Sequence, residues 1–193
     1  MCDTGFQEEN LAVIDFACGP GRVASRLKLK SPSLNLFGSD IDPEAISWAK
    51  SNLDDVATFS LNRADTPSDF EDDAFDVVYS ISLFTHLDTR YQDLWLAEIV
   101  RILKPGGILI TSTHGADCLE TCTNAERSEL SAKGIVFRID HVGRFKIDGL
   151  PDFYQTTFHT RQYVLRHWAS YLSVKSYIER GVNNHQDLIV LRK

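Results

Sequence analysis

The chain has 193 residues, 43% of them hydrophobic, enough for one domain with a filled core. Against 20 basic residues stand 27 acidic ones, and the net charge of −7 argues against DNA or RNA as the main partner. No apolar run is long enough to span a membrane, and the polar, acidic start MCDTGFQEEN argues against a secretory signal or basic transit peptide, so the expected location is cytoplasmic.

Short apolar runs alternate with helical stretches along the chain, the pattern of a parallel sheet with crossover helices. Leu11 to Phe16 reads as a first strand ending in a Gly-Pro-Gly turn. Arg22 to Lys30 follows as a helix with Val23, Ala24 and Leu27 on one face, and Ser33 to Gly38 is a second strand. Asp42-Pro43-Glu44 starts a helix: Asp42 can cap, Pro43 suits the first helical position, and Glu44 favours the positive dipole end. Ala45, Ile46, Ala49 and Leu53 form its core stripe. A third strand near Ala57 to Asn62 leads to Asp65, and Asp69 to Asp73 reads as a solvated acidic loop.

Phe75 to Ile81 is a β-branched and aromatic fourth strand. Thr89-x-x-Gln92 offers a capping box for a helix whose buried stripe is Trp95, Ile99, Ile102 and Leu103, stopped by Lys104-Pro105-Gly106-Gly107 before a fifth strand, Ile108 to Thr111. His114 to Thr160 is less periodic, with one helix from the box Thr123-x-x-Glu126 to Gly134. Arg161 to Tyr171 reads as a helix with Val164, Trp168 and Tyr171 on one face. Strands near Ser173 to Ile178 and Asp187 to Leu191, joined by a short turn, must pair antiparallel.

In an open α/β sheet the ligand lies beyond the carboxyl ends of the strands, beside helix N-termini. Gly19-Pro20-Gly21 sits at such an end, where glycine lets backbone approach a ligand closely. Asp40, at the end of the second strand, can accept hydrogen bonds from both hydroxyls of a ribose. Taken alone, Gly19-Pro20-Gly21-Arg22-Val23-Ala24 equally satisfies the loose dinucleotide fingerprint of nicotinamide-dependent oxidoreductases, and Tyr171-x-x-x-Lys175 mimics a dehydrogenase pair.

The stretch Val13-Ile14-Asp15-Phe16-Ala17-Cys18-Gly19-Pro20-Gly21-Arg22 resembles the first motif of class I S-adenosylmethionine-dependent methyltransferases, of the bacterial small-molecule type. Gly38-Ser39-Asp40-Ile41-Asp42, Asp65-Thr66, Phe75-Asp76-Val77-Val78-Tyr79-Ser80 and Ile102-Leu103-Lys104-Pro105-Gly106-Gly107 continue the likeness in order, over residues 11 to 112. The resemblance implies a Rossmann-like, doubly wound α/β fold: a mostly parallel seven-stranded sheet closed by an antiparallel C-terminal hairpin, all in one domain. It implies S-adenosylmethionine as cofactor. Asp15 would help receive its ammonium, backbone at Ala17, Gly19 and Gly21 would lie along its methionine part, and Arg22 would meet its carboxylate. Asp40 would hold the ribose, Ile41 would pack on the adenine, Asp65 and Thr66 would read the adenine edge, and Ser80 and Ile81 would complete the methionine pocket.

Ala17 stands where the family usually has glycine, so a slightly shifted loop is expected. Family members usually carry one or two covering helices before the first motif, which here begins near residue 13. The expectation is a more open site, or a cover supplied by a partner subunit or by chain outside this segment. A subunit of this fold that binds without catalysing is the main rival.

Methyl transfer from a sulfonium is an in-line displacement, so the protein mainly aligns acceptor, methyl and sulfur. Where a base is needed, histidine is favoured, and His86 after strand four and His114 after strand five are the candidates, with His159 behind them. His141, His167 and His185 read as structural or exposed. The segment 115–160 is the expected acceptor-binding insertion, with Phe145, Phe153, Tyr154 and Phe158 as an aromatic wall and Arg138, Arg144 or Lys146 for an anionic acceptor. The tail resembles bacterial methyltransferases of glycans and natural products, which implies an oxygen acceptor on a sugar or small metabolite. The expected partner is a small methyl acceptor at oxygen or nitrogen, and a homodimer is left open. Cys2, Cys18, Cys118 and Cys122 lack a second ligand pair at zinc spacing and are read as free thiols, so no metal is expected.

Overall fold

The computed structural model describes residues 10–143 and 150–193. Cys2, Arg144, Phe145 and Lys146 lie outside the described residues. Five parallel strands, β1 (Ala12–Phe16), β2 (Asn35–Asp40), β3 (Thr58–Leu61), β4 (Phe75–Ser80) and β5 (Leu103–Thr113), carry the helices α1 (Arg22–Lys30), α2 (Pro43–Asn52) and α3 (Thr89–Ile102) in their crossovers. A 3-10 turn (Ala116–Thr121) and α4 (Asn124–Lys133) follow, then β6 (Ile135–Arg138), β7 (Thr156–His159) and α5 (Arg161–His167). A long hairpin, β8 (Ser173–Val182) and β9 (Gln186–Arg192), ends the chain.

The seven-stranded sheet has the order β3-β2-β1-β4-β5-β9-β8. Its last two strands are antiparallel to each other, and β9 is antiparallel to β5. Because β1 pairs with both β2 and β4, the winding reverses there, and a crevice opens above the carboxyl end of β1. Successive side chains of β1 point to opposite faces. Val13 enters a core with Ala24, Leu36, Ile46 and Phe59, and Ile14 enters a second with Trp95, Ile99, Leu109 and Trp168. Both faces of the sheet are therefore covered at β1, which is why Leu11 to Ile14 reads as a continuous apolar run before Asp15.

Local sequence signals explain most element ends. The Asp42 carboxylate accepts from the Glu44 and Ala45 N–H groups at the start of α2. Thr123 and Glu126 close a reciprocal box on α4, and Gly134 ends that helix with φ 79°. Three expectations shift. The cap of α3 is Asp88, whose carboxylate accepts from the Tyr91 N–H; Gln92 is buried and turns inward to donate to the Leu87 carbonyl. Val23 is 46% exposed rather than in the core, because the first turn of α1 faces the crevice. The stretch 114–160, which shows no strand periodicity, contains the small antiparallel sheet β6–β7. It docks on the main body as the Thr157 N–H donates to the Thr85 carbonyl, the Thr157 hydroxyl to the Leu87 carbonyl, and the His159 N–H to the His114 carbonyl.

The acidic loop is exposed, yet three of its carboxylates are latched: Asp69 to Arg63, Asp72 to Arg101 and Asp73 to Lys193. Cys18, Cys118 and Cys122 are free and buried. No helix among the described residues is long and apolar enough to cross a membrane.

Candidate active site

A cleft of about 730 Å³ lies over the carboxyl ends of β1, β2 and β4. Its floor is the loop from β1 to α1. Ala17 turns there with φ 67°, Gly19 with φ 52° and Gly21 with φ 78°, the left-handed region. The Ala17 and Cys18 N–H groups both donate to the Ser39 carbonyl, at 2.8 and 3.0 Å, which ties the loop to the end of β2. Gly21 caps α1, and a Cβ there would come within 2.9 Å of Leu53 and Phe59, so glycine is required by packing as well as by conformation.

Asp40 organises this floor. Its Oδ2 accepts from the Gly19 N–H at 2.7 Å and its Oδ1 from the Asp42 N–H at 3.0 Å. Each oxygen keeps a lone pair for a further donor. Asp15 is 3% exposed, and its Oδ2 has no partner among the described residues. Burial pushes its pKa up to about 7, against the opposing pull of Tyr79 and the Ala24 N–H, with nearby Asp40 adding to the rise. A buried carboxyl with one unpartnered oxygen, facing a cleft, is suited to a cationic ligand group, whose charge would hold it ionised.

Asp15, Ala17, Gly19, Arg22, Asp40, Ile41 and Ile81 all line the cleft, as the motif reading expects. Gly21 stands behind the lining, as does Ser80, whose carbonyl accepts from the Thr111 hydroxyl at 2.8 Å. Asp65 is exposed and, with Thr66, lies off the lining, where Asn62 and Ala64 form that wall.

The other end of the cleft is largely apolar: Phe16, Ile81, Leu83, Leu87, Trp95, Leu150 and Phe153, with Tyr154 at the edge. Phe153 stacks on Tyr91 with ring centres 4.0 Å apart. Ser82, with φ 69°, is fixed by a network that no sequence motif announces. Its N–H donates to the Ser112 hydroxyl, and both serine hydroxyls donate to the Gln186 side-chain oxygen, so β4, β5 and β9 meet at this rim.

Among the described residues no histidine lines the cleft. His86 stacks behind Tyr154 at 3.9 Å, and its Nδ1 lies 2.7 Å from the Gln155 carbonyl. Burial lowers its pKa to about 4, so it is neutral at pH 7. His114 Nδ1 faces the Thr157 carbonyl at 3.2 Å, and burial lowers its pKa too. His159 is fully buried beside Gln92, and burial lowers its pKa to about 3. Arg138 is held by both oxygens of Glu126, and Phe158 packs with Cys118 and Cys122, so neither faces the cleft.

A doubly wound sheet with a reversed last strand and a cleft at its switch point defines an open α/β domain with its ligand crevice at the carboxyl ends of the strands. Comparison with known proteins names the class. The family model described as a methyltransferase domain matches residues 14–111. A malonyl-[acyl-carrier protein] O-methyltransferase from Hahella chejuensis is 34% identical over 101 residues, 52% of this chain and 36% of that protein. A 2-methyl-6-phytyl-1,4-hydroquinone methyltransferase from Synechocystis is 33% identical over 102 residues, 52% of this chain and 31% of that protein. The chain thus spans about a third of the length of these two curated relatives. The solved structure of a SAM-dependent methyltransferase from Methanosarcina mazei shares the fold, with a TM-score of 0.65 and 20% identity over 98% of this chain and 95% of that one. The chain belongs to the methyltransferase domain family, among the class I S-adenosylmethionine-dependent methyltransferases.

Proposed function

We propose that the domain transfers a methyl group from S-adenosylmethionine to a small acceptor with an apolar body, at oxygen or nitrogen. The observation that carries this reading is the cleft itself, in which the polar floor at Asp15 and Asp40 continues into the apolar wall of Ile81, Leu83, Trp95 and Phe153. The cofactor, when bound, supplies a methyl group activated on a sulfonium. Asp40, already oriented by the Gly19 and Asp42 N–H groups, is suited to accept from the two ribose hydroxyls. Asp15 offers its unpaired oxygen to the ammonium, Arg22 meets the carboxylate, and the backbone at Ala17 and Gly19 lies along the methionine part. Gly21 and Ser80 set this geometry from behind the lining. Ile41 packs on the adenine, and Asn62 and Ala64 wall its edge, with Asp65 and Thr66 next along the chain.

The segment 115–160 forms the acceptor side through Phe153 and Tyr154. Catalysis by these residues is alignment and exclusion of water. His86 and His114, in this reading, hold the insertion in place through their Nδ1 contacts and carry no proton from the acceptor. A relative named for a phytyl-bearing hydroquinone supports an acceptor with an apolar part.

The test is methyl transfer from labelled S-adenosylmethionine to a panel of hydroquinones, carboxylates and amines with and without apolar tails. Turnover should favour tailed acceptors. Turnover of free sugars with none of the tailed compounds accepted would overturn the acceptor assignment.

A further inference from the structure

Beyond the cleft, the end of β5, the 3-10 turn and the β8–β9 turn bring together His114, Cys118 and His185. We propose that these three side chains form a binding site for a divalent transition cation of the zinc type. Their ligand atoms all lie within 4.8 Å of one another. Cys118 Sγ is 3.6 Å from His185 Nε2. In a tetrahedral site with metal–sulfur near 2.3 Å and metal–nitrogen near 2.0 Å, those two corners stand about 3.5 Å apart. One edge of the polyhedron is therefore already in place, and the others, none longer than 4.8 Å, need close by no more than about 1.5 Å.

The surroundings suit a cation. His114 Nδ1 faces the Thr157 carbonyl, so its proton belongs there and Nε2 keeps its lone pair free for a metal; a carbonyl in this position is the usual orienting partner of a ligating histidine. The His185 side chain is 57% exposed, which gives the ion a path from solvent. Asp117 Oδ2 lies 3.8 Å from His185 Nδ1, its charge shared with Arg180, which pairs with Oδ1. Two nitrogens and a sulfur select zinc or cobalt over magnesium or calcium, which prefer oxygen ligands. On binding, the Cys118 thiol gives its proton to the buffer and the thiolate ligates. The fourth position is left for solvent.

The ion would tie the 3-10 turn to the ends of β5 and β9, which already pair as antiparallel strands through Thr113 and Asp187. Asn183, in the same turn as His185, lines the cleft, so the site braces the cleft's rim from outside. The proposal does not depend on the identity of the acceptor or on methyl transfer.

The test is a titration of the chelator-treated full chain with cobalt(II), read by absorption. We expect one equivalent bound with a thiolate-to-cobalt charge-transfer band, displaced by zinc(II). Cys118→Ser should remove that band, and His185→Gln, at an exposed position that leaves the fold intact, should weaken cobalt binding by about tenfold or more. Cys122→Ser, the neighbouring buried thiol, should retain both. Absence of the band in the unmodified chain, its survival in Cys118→Ser, or unchanged affinity in His185→Gln would overturn the site.

Discussion

At the floor of the cleft, the polar contacts join Ala17, Cys18 and Gly19 to Ser39 and Asp40, and Asp40 to Asp42, all within two strands and their following loops. At the apolar end, the wall draws Ile81 to Leu83 from one loop, Trp95 from a helix, Phe153 and Tyr154 from the insertion, and Asn183 from the closing hairpin. The first region is a local motif whose geometry is set by hydrogen bonds already made without a ligand. The second exists only after the whole chain has packed. The difference teaches that cofactor binding and acceptor binding should be separable by mutation, with damage at the apolar end leaving the floor intact.

The largest effect should come at the floor. Asp15→Asn removes the charge that receives the ammonium and should weaken cofactor binding by about thirtyfold, the equivalent of about 2 kcal/mol. The same change should alter stability in the ligand-free protein. Because the folded-state pKa is raised to about 7 from 3.8, folding binds a proton, and this carboxyl's contribution to stability is lost as pH rises from about 4 to about 7. Thermal melts at pH 8 should show Asp15→Asn more stable than the wild type, with the gap closing toward pH 4. A gap that widens on acidification would contradict this.

Phe153→Ala tests the other end. Loss of its stacking on Tyr91 and of its share of the wall should raise the acceptor KM by about tenfold, with cofactor affinity within about twofold. Equal losses for both ligands would dissolve the distinction between the regions. A smaller effect is expected for His86→Gln, which should change kcat by less than about threefold, since a true general base contributes a hundredfold or more. A hundredfold loss would return His86 to the reaction. Ala17→Gly should act least: relief of a left-handed alanine, offset by a freer unfolded chain, leaves a gain of about 1 kcal/mol or less in chemical denaturation.

The floor was legible in the sequence because its determinants are local. A glycine turn after an apolar strand, an aspartate after the next strand and the Asp42 cap each follow from neighbouring residues. The succession of five strands along the chain and the closing antiparallel hairpin were legible for the same reason. The β6–β7 sheet was not, because four-residue strands with half-buried ends carry too short an alternation to detect. Asp88 is masked as the α3 cap because Thr89 and Gln92 imitate a capping box, whereas burial commits Gln92 to Leu87 and His159. Val23 looked like a core residue because its face of α1 is apolar, and only the sheet's switch point shows that this turn faces the cleft. The cluster of His114, Cys118 and His185 joins positions 71 residues apart. Spacing rules for cysteine pairs see nothing there.

The most direct test of the central claim is calorimetric titration of the wild type and of Asp40→Asn with S-adenosylhomocysteine. The account predicts binding by the wild type at one site and a loss of about a hundredfold in the variant, from weakened hydrogen bonds to two ribose hydroxyls. Equal affinity in the two proteins would contradict the placement of the cofactor on this floor.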